Sequence, residues 1–357
     1  MNTSFDLNKI LRPHILTLAP YSSARDEYTG HVGIFLDANE NPYGSVTGEN
    51  YNRYPDPYQA EIKQKLSPIK QVSADRIFLG NGSDEPIDLL TRATCTPGQD
   101  HVIILPPTYG MYEVSASIHD VKIDKVSLTD DYHIDTEAVL NAVTPSTKII
   151  WICSPNNPTG NVMQADAIQV ILENFSGLVV VDEAYIDFTD EPSWVQHLDK
   201  YPNLVVLQTF SKAWGLAGIR VGMCFASPEL IRILNKIKPP YNISLPAQQA
   251  LLEGLNGMEK KDKMVADILE QRDVLTDQLQ SLPIVVKIHP TDANFLLVQF
   301  EDARAVMEYL IRETIIVRDR SRVHLCEGCL RITVGTKEEN EVLIESLKKF
   351  QPQNVIV

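Results

Sequence analysis

Lys212 lies in Thr209-Phe-Ser-Lys-Ala-Trp-Gly-Leu-Ala-Gly-Ile-Arg220, directly after the apolar run Leu204-Val-Val-Leu207. A lysine amine adds to a carbonyl carbon only when unprotonated, and a free one keeps its proton up to roughly pH 10.4. Burial and a nearby cation both favour the neutral amine, and Arg220 is the cation this stretch offers. Taken alone, such a lysine reads as a solvated charge on a helix start. Three further polar groups change that reading, because each also follows an apolar run. They are Gly80-Asn-Gly-Ser-Asp-Glu85, Ser154-Pro-Asn-Asn-Pro-Thr-Gly160 and Asp182-Glu-Ala-Tyr185.

Each group has a chemistry of its own. Gly82, Ser83 and Asp84 open a helix, where unpaired N–H groups and a partial positive charge hold a phosphate. Ser211 and Arg220 can share that anion, the arginine through charge-assisted paired hydrogen bonds. Tyr109 can lie flat against a planar ring, although a lone loop tyrosine more commonly packs on a core. Asn157, held between Pro155 and Pro158, is a rigid donor, and Tyr185 can join it at a phenolic oxygen. Asp182 taken alone reads as a helix cap. Beside a pyridine nitrogen, its carboxylate would keep that nitrogen protonated, so that the ring could accept the electrons of a carbanion. Together the groups describe a site for pyridoxal 5'-phosphate, with Lys212 as its Schiff-base amine.

The elements that must position them are strands alternating with helices. Near-continuous Val/Ile runs predict strands at 76–80, 101–105, 121–126, 148–153, 178–182, 204–207 and 221–226. Runs without alternation fit a mainly parallel sheet buried on both faces, with ligands beyond the strands' carboxyl ends. Helices are expected at Tyr58 to Leu66, stopped before Pro68, then from Gly82, at Asp135–Ala142 and at Gln164–Asn174. A long helical zone follows from Ala247 to Leu282, weakened near Gly254 and Gly257. Strands at 284–288, 294–300, 315–317 and 330–334, with helices at 303–313 and 337–348, read as a smaller α+β unit. The expected division is an arm at 1–28, contributing to the small domain and to a dimer contact. A large domain at 29–250 and a small one at 251–357 complete it.

The totals exclude some classes. Of 357 residues, 32 are basic and 47 acidic, a net charge of −15 that disfavours nucleic acid and anionic membrane surfaces. No apolar stretch is long enough to span a membrane, and the first residues carry no secretory pattern, so a cytoplasmic protein is expected. Cysteines stand at 95, 153, 224, 326 and 329, and Cys326-Glu-Gly-Cys329 has no second pair or histidine cluster beside it. No metal is therefore expected, and Cys153 and Cys224 read as small core residues.

In order and spacing, Asn156-Asn-Pro-Thr-Gly160, Asp182-Glu-Ala-Tyr185 and Ser211–Arg220 resemble fold-type I pyridoxal-phosphate aminotransferases, over nearly the whole chain. Pro20-Tyr-Ser-Ser-Ala-Arg25, Asp37-Ala-Asn-Glu-Asn-Pro42, Asn52-Arg-Tyr-Pro55, Ala293-Asn-Phe295, Val317-Arg-Asp319 and Gly328–Thr336 resemble more narrowly the histidinol-phosphate aminotransferase family. Two departures, Ser83 where alanine often stands and Trp214 after the lysine, remove no needed donor. The resemblance implies a homodimer with sites at the subunit boundary, and Lys212 as proton shuttle. It implies transfer of an amino group between L-histidinol phosphate and 2-oxoglutarate in histidine biosynthesis. Tyr54 would reach the neighbouring subunit's cofactor phosphate. Tyr21 and Asn157 would line the substrate pocket, and Arg318 and Arg331 would hold the substrate's anion. The alternatives are an aromatic amino-acid aminotransferase, a decarboxylase of a phosphorylated amino acid, and a binding relative without turnover.

Overall fold

The computed structural model describes residues 5–20 and 33–351. Seven strands form the first sheet: β1 (Ile77–Asn81), β2 (His101–Ile104), β3 (Lys122–Lys125), β4 (Thr147–Cys153), β5 (Leu178–Asp182), β6 (Leu204–Thr209) and β7 (Val221–Phe225). Their spatial order is β1-β7-β6-β5-β4-β2-β3. From β3 to β6 all pairs are parallel, while β7 runs antiparallel to both neighbours. Two reversals leave β1 pointing the same way as β6. The carboxyl ends of β1, β4, β5 and β6 therefore share one edge, and β7 begins there.

The apolar runs of the sequence are explained by this layering. Strands β2 and β4 to β7 are almost wholly buried, and one apolar cluster packs on each face of the sheet. The edge strand β3 is the exception: Lys122 and Lys125 stand exposed on it, which discourages pairing with another sheet. Residues 5–20 lie on the helices of one face, where Arg12 N donates to Ala93 O at 2.9 Å and Lys236 Nζ to Ile15 O at 2.8 Å.

A second, antiparallel sheet has the order β10-β11-β9-β8. It comprises β8 (Val285–Ile288), β9 (Phe295–Phe300), β10 (Arg318–Asp319) and β11 (Cys329–Thr333). Helices Met258–Gln280, Ala303–Arg312 and Lys337–Lys349 cover it around a third apolar cluster. Helix Met258–Gln280 links the two units, since Val265 belongs to the first core and Leu275 and Leu279 to the third.

Several boundaries differ from expectation. The helix expected to stop before Pro68 runs Ala60–Lys70. Proline there removes only one bond of the last turn, and Gln71, left-handed at φ 55°, closes the end by donating to Ser67 O. The zone from Ala247 splits into Leu245–Gly254 and Met258–Gln280, at the two glycines. The strand expected at 315–317 forms instead at Arg318–Asp319, because its partners on β11 are Arg331 and Leu330. Helices Met111–Ile118 and Pro228–Ile237 were not anticipated. No helix among the described residues is long and apolar enough to cross a membrane.

Candidate active site

Beyond the shared edge lies a cavity of about 750 Å³, closed on its far side by β10 and β11. Ser83, Asp84 and Tyr109 line one wall, and Asn157, Asp182 and Tyr185 its floor. Ser211, Lys212 and Arg220 enter from β6 and the turn before β7, and Arg318 and Arg331 from the small sheet. Eleven of the residues singled out in the sequence thus meet in one place. Gly82 lies just beneath, Tyr54 is half-exposed and stacked on Tyr241 at 4.4 Å, and Tyr21 is outside the described residues.

The phosphate end is built by close backbone approach. Gly82 has φ 67°, and its N–H donates to Arg220 O at 2.9 Å. A Cβ on Gly82 would stand 2.6 Å from Arg220 Nη2, and one on Gly222 only 2.4 Å from Ser83 N. Two glycines thus let the turn after β1 nest against the start of β7. The Ser83 side chain makes no capping bond to helix Asp84–Thr94, which leaves first-turn donors available. Arg220 Nη1 donates to Ser211 Oγ at 3.4 Å, and its Nη2 stands 3.7 Å from Asp84 Oδ2. Asp84 Oδ1 accepts from Tyr109 Oη at 3.0 Å.

Asp182 ends β5 almost fully buried, and no cation among the described residues pairs with it. Its Oδ2 accepts from Tyr112 Oη at 2.7 Å and its Oδ1 from Ala184 N at 3.1 Å. Burial pushes its carboxyl up to about 6, against the pull of those two donors. A buried carboxylate with donors but no cation suits a protonated ring nitrogen. Asn157 Nδ2 donates to Tyr185 Oη at 3.4 Å, and Arg331 Nη1 donates to Asn157 Oδ1. Lys212 Nζ sits 5.6 Å from the Tyr185 ring centre. Its pKa is lowered by burial first, then by Arg331 and Arg220. The sequence pointed to Arg220 as the cation; Arg331, 119 positions beyond Lys212, acts with it.

The donor set fits pyridoxal phosphate: an anion cradle at Ser83, Ser211 and Arg220, a carboxylate at Asp182, a donor pair at Asn157 and Tyr185, and an amine between them. The class I and II aminotransferase family model matches residues 34–347. A histidinol-phosphate aminotransferase of Cytophaga hutchinsonii is 59% identical over 97% of this chain and 100% of its own. The chain belongs to that family. A second member, from Parabacteroides distasonis, is 50% identical over 97% of this chain and 99% of its own. The structure of the Sinorhizobium meliloti enzyme in complex with pyridoxal-5'-phosphate shares the fold, with a TM-score of 0.76. It is 23% identical and covers 87% of this chain and 90% of its own.

Two groups, one beneath the cavity and one lining it, escaped the sequence reading. Tyr112 is fully buried on helix Met111–Ile118, and only the rule that a buried phenol needs a partner could have raised it. Arg320 lines the cavity with Arg318 and Arg331. Its position two residues from Arg318 was the available signal, since alternate strand residues share a face. Cys326 and Cys329 are buried free thiols, pushed up to about 12 and about 11 by burial. Among the described residues no group of three or more His, Cys, Asp or Glu could hold a metal ion.

Proposed function

We propose that this chain is a transaminase moving an amino group between L-histidinol phosphate and 2-oxoglutarate, giving imidazole acetol phosphate and L-glutamate, with pyridoxal 5'-phosphate as cofactor. The observation that carries the reading is the pairing of Arg318 with Arg331 across β10 and β11, in the cavity that contains Lys212. Guanidinium groups take a phosphate or a carboxylate by forked hydrogen bonds, so one wall can serve both substrates in turn. The name shared by the relatives supports the same substrates. The reading also places the enzyme in histidine biosynthesis, in the cytoplasm, with the division at 29–250 and 251–357 as its large and small domains.

When bound, the cofactor supplies an aldehyde carbon and an electron-withdrawing ring that spreads negative charge from the substrate's α-carbon. Lys212 Nζ, its charge disfavoured by burial and two arginines, serves as nucleophile and then moves the proton at that α-carbon. Asp182 holds the proton on the ring nitrogen. Asn157 and Tyr185 orient the ring through its phenolic oxygen, and Ser83, Ser211 and Arg220 fix its phosphate. Arg331, bonded to Asn157, ties the substrate's anion to the ring's position.

The test is single turnover of the holoenzyme with L-histidinol phosphate, followed by loss of the visible absorbance of the lysine-bound cofactor. Spectral conversion with release of imidazole acetol phosphate is expected. Release of carbon dioxide from a phosphorylated amino acid would favour a decarboxylase, and equal kcat/KM with phenylalanine an aromatic aminotransferase. Arg331→Ala is expected to impair both half-reactions; an effect confined to glutamate would remove its phosphate role.

The homodimer belongs to the same proposal. Ile34, Leu36, Tyr43 and Val46 are almost fully exposed, although Glu40 between them is tied to the loop that follows. Glu40 accepts from Arg53 Nη1 at 2.6 Å and from Tyr54 N at 2.7 Å. A fixed segment with its apolar side chains outward suits burial against a second copy. Tyr54, whose N–H donates to Glu40 of that segment, would then serve the neighbouring site.

A further inference from the structure

Arg320 has no role in the transfer as described so far, yet its surroundings suit a ligand. Arg318 in β10 and Arg320 just past its end are alternate residues, and Arg318 lies directly opposite Arg331 on β11. Alternation and register therefore put all three guanidinium groups on one face of the sheet edge, where they line the cavity. Like charges placed opposite one another destabilise a sheet, and no ion pair to a carboxylate relieves any of the three among the described residues. Arg331 has Asn157 and the ring of Phe295, 5.3 Å away. Arg320 Nε is sealed from solvent with no hydrogen-bond partner. The adjacent Asp319 accepts instead from Ser321 N at 2.7 Å, and by alternation it faces the other way.

The frame around Arg320 is fixed. Its N–H donates to Cys329 O at 3.0 Å, its carbonyl accepts from Val323 N at 2.9 Å, and Tyr132 Oη donates to Leu325 O at 2.7 Å. Cys326 and Cys329 are buried in the first core at the two ends of a tight turn, where Cys329 N donates to Cys326 O. The Cys-x-x-Cys stretch thus anchors the loop that carries the third arginine. Burial, followed by Arg331 and Arg318, lowers the pKa of Arg320, so a nearby anion would favour its charge.

We propose that Arg320 is a specificity-determining residue that acts with Arg318 on the donor's dianionic phosphate, so that preference for a phosphate over a carboxylate depends on a third guanidinium. This rests on the donor assigned above. A carboxylate carries one charge, which two arginines satisfy. A phosphate above its second ionisation, near pH 6, carries two charges and a third acceptor oxygen.

The experiment compares Arg320→Gln and Arg320→Lys holoenzymes with the parent, after confirming an unchanged visible spectrum. With L-histidinol phosphate, Arg320→Gln should lose roughly 10- to 100-fold in kcat/KM, mainly through KM, as expected for a charged hydrogen bond. Phenylalanine should change less than about threefold, and Arg320→Lys should recover part of the loss. The rise in kcat/KM for the phosphate donor through about pH 6 should flatten in Arg320→Gln. Equal losses for both donors, or none for either, would overturn the proposal. Inorganic phosphate binding to each holoenzyme, measured by calorimetry, separates the two ideas. If the parent enzyme does not convert L-histidinol phosphate, the donor reading fails, while weaker phosphate binding in Arg320→Gln still supports the anion role. Unchanged phosphate affinity in that variant refutes it.

Discussion

At the scale of single residues, Lys212 and Asp182 illustrate how burial sets charge. Replacing Lys212 by alanine should abolish turnover and leave the fold intact, measured by single-turnover kinetics beside circular dichroism. Asp182 and Glu183, adjacent and buried, are pushed up to about 6 and about 7. The folded chain thus holds protons that the unfolded chain gives up near pH 4. Each contribution to stability is fully present below about pH 4 and is lost as pH rises through the folded value. In the cofactor-free protein, Asp182→Asn should therefore gain on the parent by about 1 kcal/mol between pH 5 and pH 7, read from urea midpoints. No relative gain would mean that Asp182 is ionised across that range. Tyr112 donates to the same carboxylate and favours its charge. Tyr112→Phe should lower kcat/KM about tenfold at neutral pH, with partial recovery at higher pH. A uniform loss at every pH would instead point to a packing defect.

At the scale of elements, the site depends on backbones that come closer than side chains allow. A Cβ on Gly222 would press on the backbone of Gly82 and Ser83, which neither rotamer nor loop can yield. Gly222→Ala should cost about 1–3 kcal/mol in stability and weaken cofactor retention, measured by thermal unfolding and by spectral titration. Retention equal to the parent's would show that the cradle tolerates splaying. A second contact joins the two sheets' units. Gly160 has φ 88°, its carbonyl accepts from Asp292 N, and a Cβ there would reach 2.3 Å from Thr291 Oγ1. That contact holds β9 and β11 over the cavity, and with them the arginines.

At the scale of the whole molecule, Ile34, Leu36, Tyr43 and Val46 turn apolar side chains outward, a surface suited to burial against a second copy. Ile34→Asp combined with Val46→Asp should halve the mass seen by sedimentation and reduce activity more than stability. A double variant that stays at twice the chain mass would move the subunit boundary elsewhere. Because Tyr54 stacks on Tyr241 outside its own cavity, loss of activity on dissociation is expected to exceed that of any change confined to one site.

Much of this was legible in the sequence, because a buried strand must be apolar throughout and polar groups at its end are then conspicuous. Leu178–Asp182 was read residue for residue, and Lys212, Asp182, Asn157 and Arg220 stood out by their places after such runs. The resemblance of motifs added the family. What the sequence left open was every choice made by register and contact. The small strand formed at Arg318 rather than three residues earlier because pairing with Arg331 decided it. Tyr112 and Arg320 gained meaning only when a helix and a hairpin brought them to Asp182 and to two other arginines. Periodicity reports which face of an element is buried; only the packing of one element on another decides which polar atoms meet.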